Sequence, residues 1–342
     1  MTSLQDDPAG ERMASGSVGL KKIAERAGVS KATVSRALRG HPSVRPGTRE
    51  RILAIAAELG HTDNPLVGRV MSGMRRQQSA AFRGNLGLIW ANQIPARGSD
   101  YRLLTMQASI RRRSEELGYR ISEFSATERS PKSLMRLLWH CGIQGILIAA
   151  PSFQVPRTEV RFDLKDFCCV VVGSGRIDPP LHTVRFDYFR AMRLALHHAR
   201  PRFGNGVAAV WDDQTNRRAH HSTRASFIVN HPGGTALGEK LFLIHNELTL
   251  RSLRTLVKRY AIGCLICESA VVLPEGSEEL VPLEQRIVFK RPEGKTFGWI
   301  DTRNELLGGW AVDLLANKLS QWDAGPPAAC ETVLVPPRWF DG

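Results

Sequence analysis

The stretch that decides the architecture is LKKIAERAGVSKATVSRAL, residues 20–38. Leu20, Ile23, Ala24 and Ala27 recur at i, i+3, i+4 and i+7, which predicts one buried helical face. Gly28 supplies a turn. Ser30 can cap a second helix, its hydroxyl taking an orphan amide proton. That helix, over about 31–38, buries Val34, Ala37 and Leu38. Its other face carries Lys31, Ala32, Ser35, Arg36 and Arg39. Two short helices across a Gly-containing turn, the second with small and basic residues outward, predict a helix-turn-helix.

The outward residues suit duplex DNA. A major groove about 12 Å wide admits a helix whose leading side chains are short or flexible. Arg36 can bond two acceptors on guanine, Lys31 can reach guanine or a phosphate, and Ala32 can touch a thymine methyl. Ser30, Thr33 and Ser35 suit phosphate oxygens, which fix register without reading bases. A third helix follows, with Pro46 in its first turn and Ile52, Ala56 and Leu59 as its buried stripe. Next comes HTDNPLVGRVMSGMRRQQ, residues 61–78. Asn64 can cap a short helix there and Pro65 can start it. Gly68 and Gly73 cost it about 1 kcal/mol each relative to Ala, so this segment is expected to fold only when held.

Charge points the same way. The chain has 342 residues, 47 Lys or Arg and 33 Asp or Glu, for a net +14. Residues 17–80 alone hold twelve Lys or Arg against four Asp or Glu. A cationic block of that kind favours polyanions. Residues 1–16 are small and polar, which predicts a disordered tail. No apolar run approaches the roughly 18 residues of a membrane span. The N-terminus lacks a basic start and apolar stretch, so a cytoplasmic protein without membrane attachment is expected.

The remaining 260 or so residues alternate apolar runs with amphipathic stretches. NLGLIWA (85–91), RISEFSA, GILIAAP (145–151) and CCVVVGS (168–174) read as strands. The pattern restarts after Leu181 with a helix near 188–199, GVAAVW (206–211), a helix near 217–230, LFLIH (241–245), a helix at 249–259 and GCLICE (263–268). TFGWID (296–301) is a later strand, and 305–319 is an amphipathic helix. Such alternation predicts parallel α/β sheets covered on both faces, in two lobes flanking a cleft.

Catalytic and metal signatures are missing. Cys264 and Cys267 form a CxxC within a run that reads as a buried strand, and no second CxxC completes a zinc site. The pairs His197–His198 and His220–His221 are adjacent on helices and diverge by about 100° per residue, a poor chelate. GSG at 173–175 lacks the frame of a nucleophile elbow. GNGVAA at 204–209 precedes a strand, whereas a dinucleotide loop follows one. Neither an enzyme nor a cofactor is expected.

The block GLKKIAERAGVSKATVSRALRGHPSVRPGTRERILAIAAELGHTDNPLVGRVM resembles the headpiece of the LacI/GalR family of bacterial transcription regulators. The resemblance implies that Lys31, Ala32 and Arg36 read bases, and that Ser30, Thr33, Ser35 and Thr48 lie on the phosphate backbone. It implies a hinge helix over 64–71 that enters the minor groove as one of a pair and kinks the duplex. Val70 falls at the wedge position with Met71 beside it, and Asp63 stands where the family usually has proline. LGLI, ELGYRI, HTVRFDYFRA and the chain end resemble, more weakly, landmarks of the family's periplasmic-binding-protein-like domain, in which three crossovers join two lobes. That part implies a ligand cleft lined by Asn92, Asp187, Arg217, Arg218, Thr223, Arg224, Glu268 and Ser269. Thr223 occupies a position where many members have arginine, and Glu268–Ser269 one where many have Asn-Asp.

The expected organisation is a tail (1–16), a helix-turn-helix headpiece (17–63), a hinge helix and linker (64–84) and a two-lobed effector and dimerisation domain (85–342). Lobe 1 is expected at about 85–181 and 298–325, and lobe 2 at about 182–297 and 326–342. The resemblance implies a homodimeric regulator, most commonly a repressor, on a palindromic double-stranded operator. Its effector would be a small molecule, with carbohydrates among the candidates. Two alternatives stand beside it: a regulator that needs no ligand, and a small-molecule binding protein with no role on DNA.

Overall fold

The computed structural model describes residues 20–38, 43–59, 82–149, 163–175, 177–268 and 273–342. The expected tail and hinge helix, with Arg39, Asn64, Val70, Met71 and Ser269, lie outside the described residues. The chain divides into two compact units, residues 1–79 and 80–342.

In the first unit, α1 spans Leu20–Ala27, α2 Lys31–Leu38 and α3 Pro46–Glu58. Ile23, Ala24 and Ala27 of α1 pack with Val34 and Ala37 of α2 and with Ile52 and Ala56 of α3. Gly28 makes the turn between the first two helices at φ +65°, a left-handed conformation that favours glycine. So small a unit has little apolar area to bury, and each of these side chains carries much of its stability.

The second unit holds two six-stranded sheets. The strands are β1 Gly84–Trp90, β2 Tyr119–Ser125, β3 Ile143–Ala149, β4 Cys168–Val172, β5 His182–Phe186 and β6 Val207–Trp211. They continue as β7 Phe242–Ile244, β8 Cys264–Cys267, β9 Arg286–Val288, β10 Gly298–Asp301, β11 Thr332–Val335 and β12 Arg338–Asp341. The helices are α4 Tyr101–Glu116, α5 Pro131–His140, α6 Tyr188–Phe203, α7 Asp213–Arg218, α8 Ser222–Asn230 and α9 Thr235–Leu241, then α10 Leu250–Tyr260, α11 Ser277–Leu280 and α12 Asn304–Gln321.

The first sheet runs β11-β5-β4-β3-β1-β2 with every pair parallel. Its strands show a period of two within continuous apolar runs. Leu86, Leu88 and Trp90 pack on one face with Met106 and Ile110 of α4 and Ala311 and Leu315 of α12. Ile89, Ile146, Ile148 and Val171 pack on the other with Leu134 and Leu138 of α5. Two buried faces leave little solvent side for polar residues in the central strands, so β1, β3 and β4 read as largely apolar runs. Helices α4 and α12 approach closely because Gly308 lacks a side chain: a Cβ there would sit 2.7 Å from the Met106 carbonyl oxygen. The second sheet runs β12-β10-β9-β8-β6-β7 and is parallel except for the β10–β12 pair.

Strand pairing moves the lobe boundaries from those expected. His182–Phe186, expected in lobe 2, hydrogen-bonds to β4 in the first sheet, and Thr332–Val335 extends that sheet beyond it. Gly298–Asp301, expected in lobe 1, pairs with β9 and β12 in the second sheet. The chain therefore changes lobe at Asp187, at 302–303 and at 336–337. Side chains reinforce the outer strands of lobe 1: His182 lies 3.2 Å from Asp323, and Lys318 pairs with both Asp323 and Glu331. Among the described residues no helix is long and apolar enough to cross a membrane. Nor does any group of three or more His, Cys, Asp or Glu stand ready to hold a metal. Cys264 and Cys267 are buried in β8, where desolvation pushes the Cys267 thiol up to about 12.

Candidate nucleic-acid interface and interlobe cleft

The start of α2 is fixed by its own side chains. Ser30 Oγ accepts from the Thr33 amide at 3.1 Å and lies 2.9 Å from Thr33 Oγ1. Val34 and Ala37 are fully buried, which rolls Lys31 and Arg36 outward into solvent. Ala32 and Ser35 lie within α2, but their side chains are outside the described set. Thr48, half-buried, stands in the first turn of α3, where its amide bonds to the Arg45 carbonyl. The exposed face thus offers a guanidinium and an ammonium on one rigid helix, with hydroxyls at its N-terminal end. That combination can form paired hydrogen bonds to a base edge and single ones to phosphates.

The other expected residues lie in the second unit, and Asp187 and Glu268 directly follow the C-termini of β5 and β8. Glu268 directly follows β8, and its amide bonds to the Val210 carbonyl of β6. It is 6% exposed, and its Oε2 has no hydrogen-bond partner. Burial and the charge of Asp212 push its carboxyl up to about 7, against the Arg102 guanidinium and hydrogen bonds from Asp212 and Thr215. Arg218 turns to the same place. Desolvation lowers its pKa, while Asp212, Glu268 and Tyr188 oppose the shift. Thr223 is fully buried, its Oγ1 also unpartnered.

The remaining expected residues are spread out. Arg217 forms an exposed i,i+4 pair with Asp213 at 2.8 Å. Arg224 lies 4.0 Å from Glu239 and over the Phe242 ring. Asp187 caps α6 by accepting from the Arg190 amide at 2.9 Å. Asn92, beyond β1, accepts on its carbonyl from Ser125 Oγ. The helix expected near 217–230 is broken at His220 and His221, both left-handed at φ +53° and +57°. The Asn216 side chain bridges the break, with its Nδ2 3.1 Å from His221 Nδ1.

Sequence reasoning missed Arg102 and Asp100. Asp100 caps α4, and its carboxylate also receives the Arg102 guanidinium at 3.0 and 2.7 Å. Burial would raise the Asp100 pKa, but these bonds outweigh it and hold the carboxyl below its ordinary value. Arg102 is 7% exposed although it sits in the first turn of α4. A direct bond joins the lobes beside it: the Arg291 amide donates to Tyr101 Oη at 3.0 Å. The cavity left between Arg102, Phe186, Tyr188, Thr302 and Asn304 is only about 40 Å³, room for about three waters. A larger, open cavity of about 520 Å³ lies at the β1–β2 edge beside the Arg111–Glu123 pair, away from this cleft. The signal that could have drawn attention to Asp212 was its place directly after β6, since open α/β sheets bind ligands beyond their strand C-termini.

Comparison with known proteins agrees with both units. Residues 19–64 match the family described as "Bacterial regulatory proteins, lacI family". The chain is 45% identical over 56 residues to the HTH-type transcriptional regulator AglR of Rhizobium meliloti, 16% of each chain. It is 25% identical over 239 residues to the HTH-type transcriptional regulator GntR of Pseudomonas aeruginosa, 66% of each chain. Among solved structures, the transcriptional regulator CelR–cellobiose complex superposes with a TM-score of 0.51 at 17% identity, covering 94% of this chain and 98% of that one. The headpiece, residues 19–64, is thus matched in sequence by the lacI family of bacterial regulatory proteins, and the chain shares its fold with the CelR–cellobiose complex.

Proposed function

We propose that the chain is a cytoplasmic, sequence-specific DNA-binding transcription regulator that acts as a homodimer on a palindromic operator and takes a small-molecule effector in the interlobe cleft. The observation that carries this reading is α2: Val34 and Ala37 are buried, while Lys31 and Arg36 are exposed on the opposite face. In the complex Arg36 bonds a guanine edge bidentately, Lys31 reaches a base or phosphate, and Ala32 lies against a thymine methyl. Ser30, Thr33, Ser35, Arg39 and Thr48 rest on the backbone. Asn64 caps the hinge helix, and Val70 and Met71 enter the minor groove. Twofold symmetry of the protein is then mirrored in the operator. An effector that changes the lobe angle shifts DNA affinity by the usual allosteric coupling of about 1–3 kcal/mol.

Deletion of residues 1–80 tests this reading by titration with labelled duplex at fixed salt. Complete loss of specific binding is expected. Affinity retained by the shortened chain would overturn it and assign binding to the arginine-rich remainder.

A further inference from the structure

The cleft contains a charge arrangement that a neutral ligand does not complete. On the second lobe, the charges of Asp212 and Glu268 both act on the guanidinium of Arg218. His245 lies 3.5 Å from Asp212 and adds charge only when protonated. Further compensation comes from the first lobe, where the charge of Arg102 favours ionised Glu268. Arg102 is held to its own lobe by two hydrogen bonds from its guanidinium to Asp100. When the lobes part, Arg102 therefore leaves with Asp100. Glu268 is left beside Asp212 with one oxygen already lacking a partner.

Resting on the reading that the cleft binds an effector, we propose that Glu268 selects an organic cation bearing hydrogen-bond donors, and that Arg102 is the tethered cation standing in its place when the cleft is empty. Three features converge on this assignment. The cavity beside Arg102, lined also by Phe186, Tyr188 and Thr302, holds about 40 Å³, far below the 300 Å³ or more of ordinary ligand pockets, so a ligand that enters beside Arg102 must displace side chains there. The Glu268 Oε2 accepts hydrogen bonds only, and an ammonium brings donors and charge together. An anionic ligand would meet Glu268 and Asp212 at once, and burying like charges together is costly. Thr215 and the Asp212 amide already serve the other Glu268 oxygen, which leaves Oε2 as the atom for the ligand.

The test uses the full chain and three six-carbon open-chain polyols that differ only at C1. Glucamine ends in an ammonium, sorbitol in a hydroxymethyl and gluconate in a carboxylate. Calorimetric titration at pH 8 is expected to show glucamine binding at least tenfold tighter than the other two, with that preference falling to threefold or less in Glu268→Gln. Arg102→Ala, whose cleft is cleared of the tethered cation, is expected to bind glucamine more tightly than the native chain. Sorbitol or gluconate binding as tightly as glucamine, or a glucamine preference that survives Glu268→Gln, overturns the charge assignment while leaving the cleft a ligand site. No heat with any of the three, in the native chain and in Arg102→Ala alike, overturns the assignment and the cleft reading together.

Discussion

The guanidinium of Arg51, on α3, donates to the backbone carbonyl of Ala27 at 3.1 Å. Ala27 ends α1, and its carbonyl is one of the four that a helix leaves without an internal partner. A cation there also complements the negative end of the helix dipole. The bond pins α3 to the first helix at the turn that orients α2, so it acts on the reading head without facing DNA. Arg51→Ala is expected to destabilise the headpiece by about 1–2 kcal/mol, measured as faster amide exchange over residues 20–59 in the full chain, with Arg51→Lys recovering part of the loss. Unchanged exchange would show that the bond contributes nothing. The nearby Arg26–Glu58 pair at 3.4 Å is exposed on both sides, and its removal is expected to have little effect.

Ser30 has two separable roles. Its hydroxyl caps α2, and in the proposed complex it lies against a phosphate. Ser30→Ala is expected to cost about 1 kcal/mol of headpiece stability. Ser30→Asp keeps a capping oxygen and brings a carboxylate to the phosphates. It is therefore expected to melt like the native chain yet bind DNA at least tenfold more weakly at low salt. Native-like affinity for Ser30→Asp would remove the phosphate contact and leave Ser30 as a cap alone.

Arg36 is exposed on α2 and is assigned to a base edge. Arg36→Ala is expected to cost about 1–3 kcal/mol on the cognate site and to relax preference at one base pair. Competition titrations with single-position operator variants measure both. An equal loss on every sequence would make Arg36 a phosphate contact instead.

Glu268 makes the second unit sensitive to pH. Its carboxyl rises from 4.5 to about 7 on folding, because burial and then Asp212 disfavour the charged form. The native state thus binds this proton more tightly than the unfolded chain does. The resulting stability is complete below about pH 4.5 and is lost as pH rises through about 7. The loss amounts to at most about 3 kcal/mol. Glu268→Gln has no proton to lose, so its stability relative to the native chain is expected to increase between pH 5 and pH 8 in denaturant melts. A difference that stays constant with pH would contradict the assigned cause.

The headpiece was legible because its signals are local. Helix period, the Gly28 turn and the Ser30 cap all lie within twenty residues, and the observed α1–α3 follow them. Strands β1, β3, β4, β6 and β8 were legible as apolar runs because both sheet faces are covered. The strands β5, β9, β11 and β12 were not recognised. Each has three to five residues, and each owes its lobe to a distant pairing partner rather than to its own composition. The helix broken at His220–His221 could not be seen as two, since the Asn216 bridge that holds the break leaves no periodicity behind. In the cleft, Glu268 and Arg218 were named from a family resemblance. Arg102 was not, because nothing local in the sequence marks a first-turn arginine as buried.

Selection of bound duplexes from a random pool shows whether the chain reads DNA as one half of a symmetric pair. The full chain is expected to enrich an inverted repeat with two equivalent half-sites, and Arg36→Ala to lose enrichment at the same base pair in both halves. A pool that yields no motif, or a motif without twofold character, would contradict it.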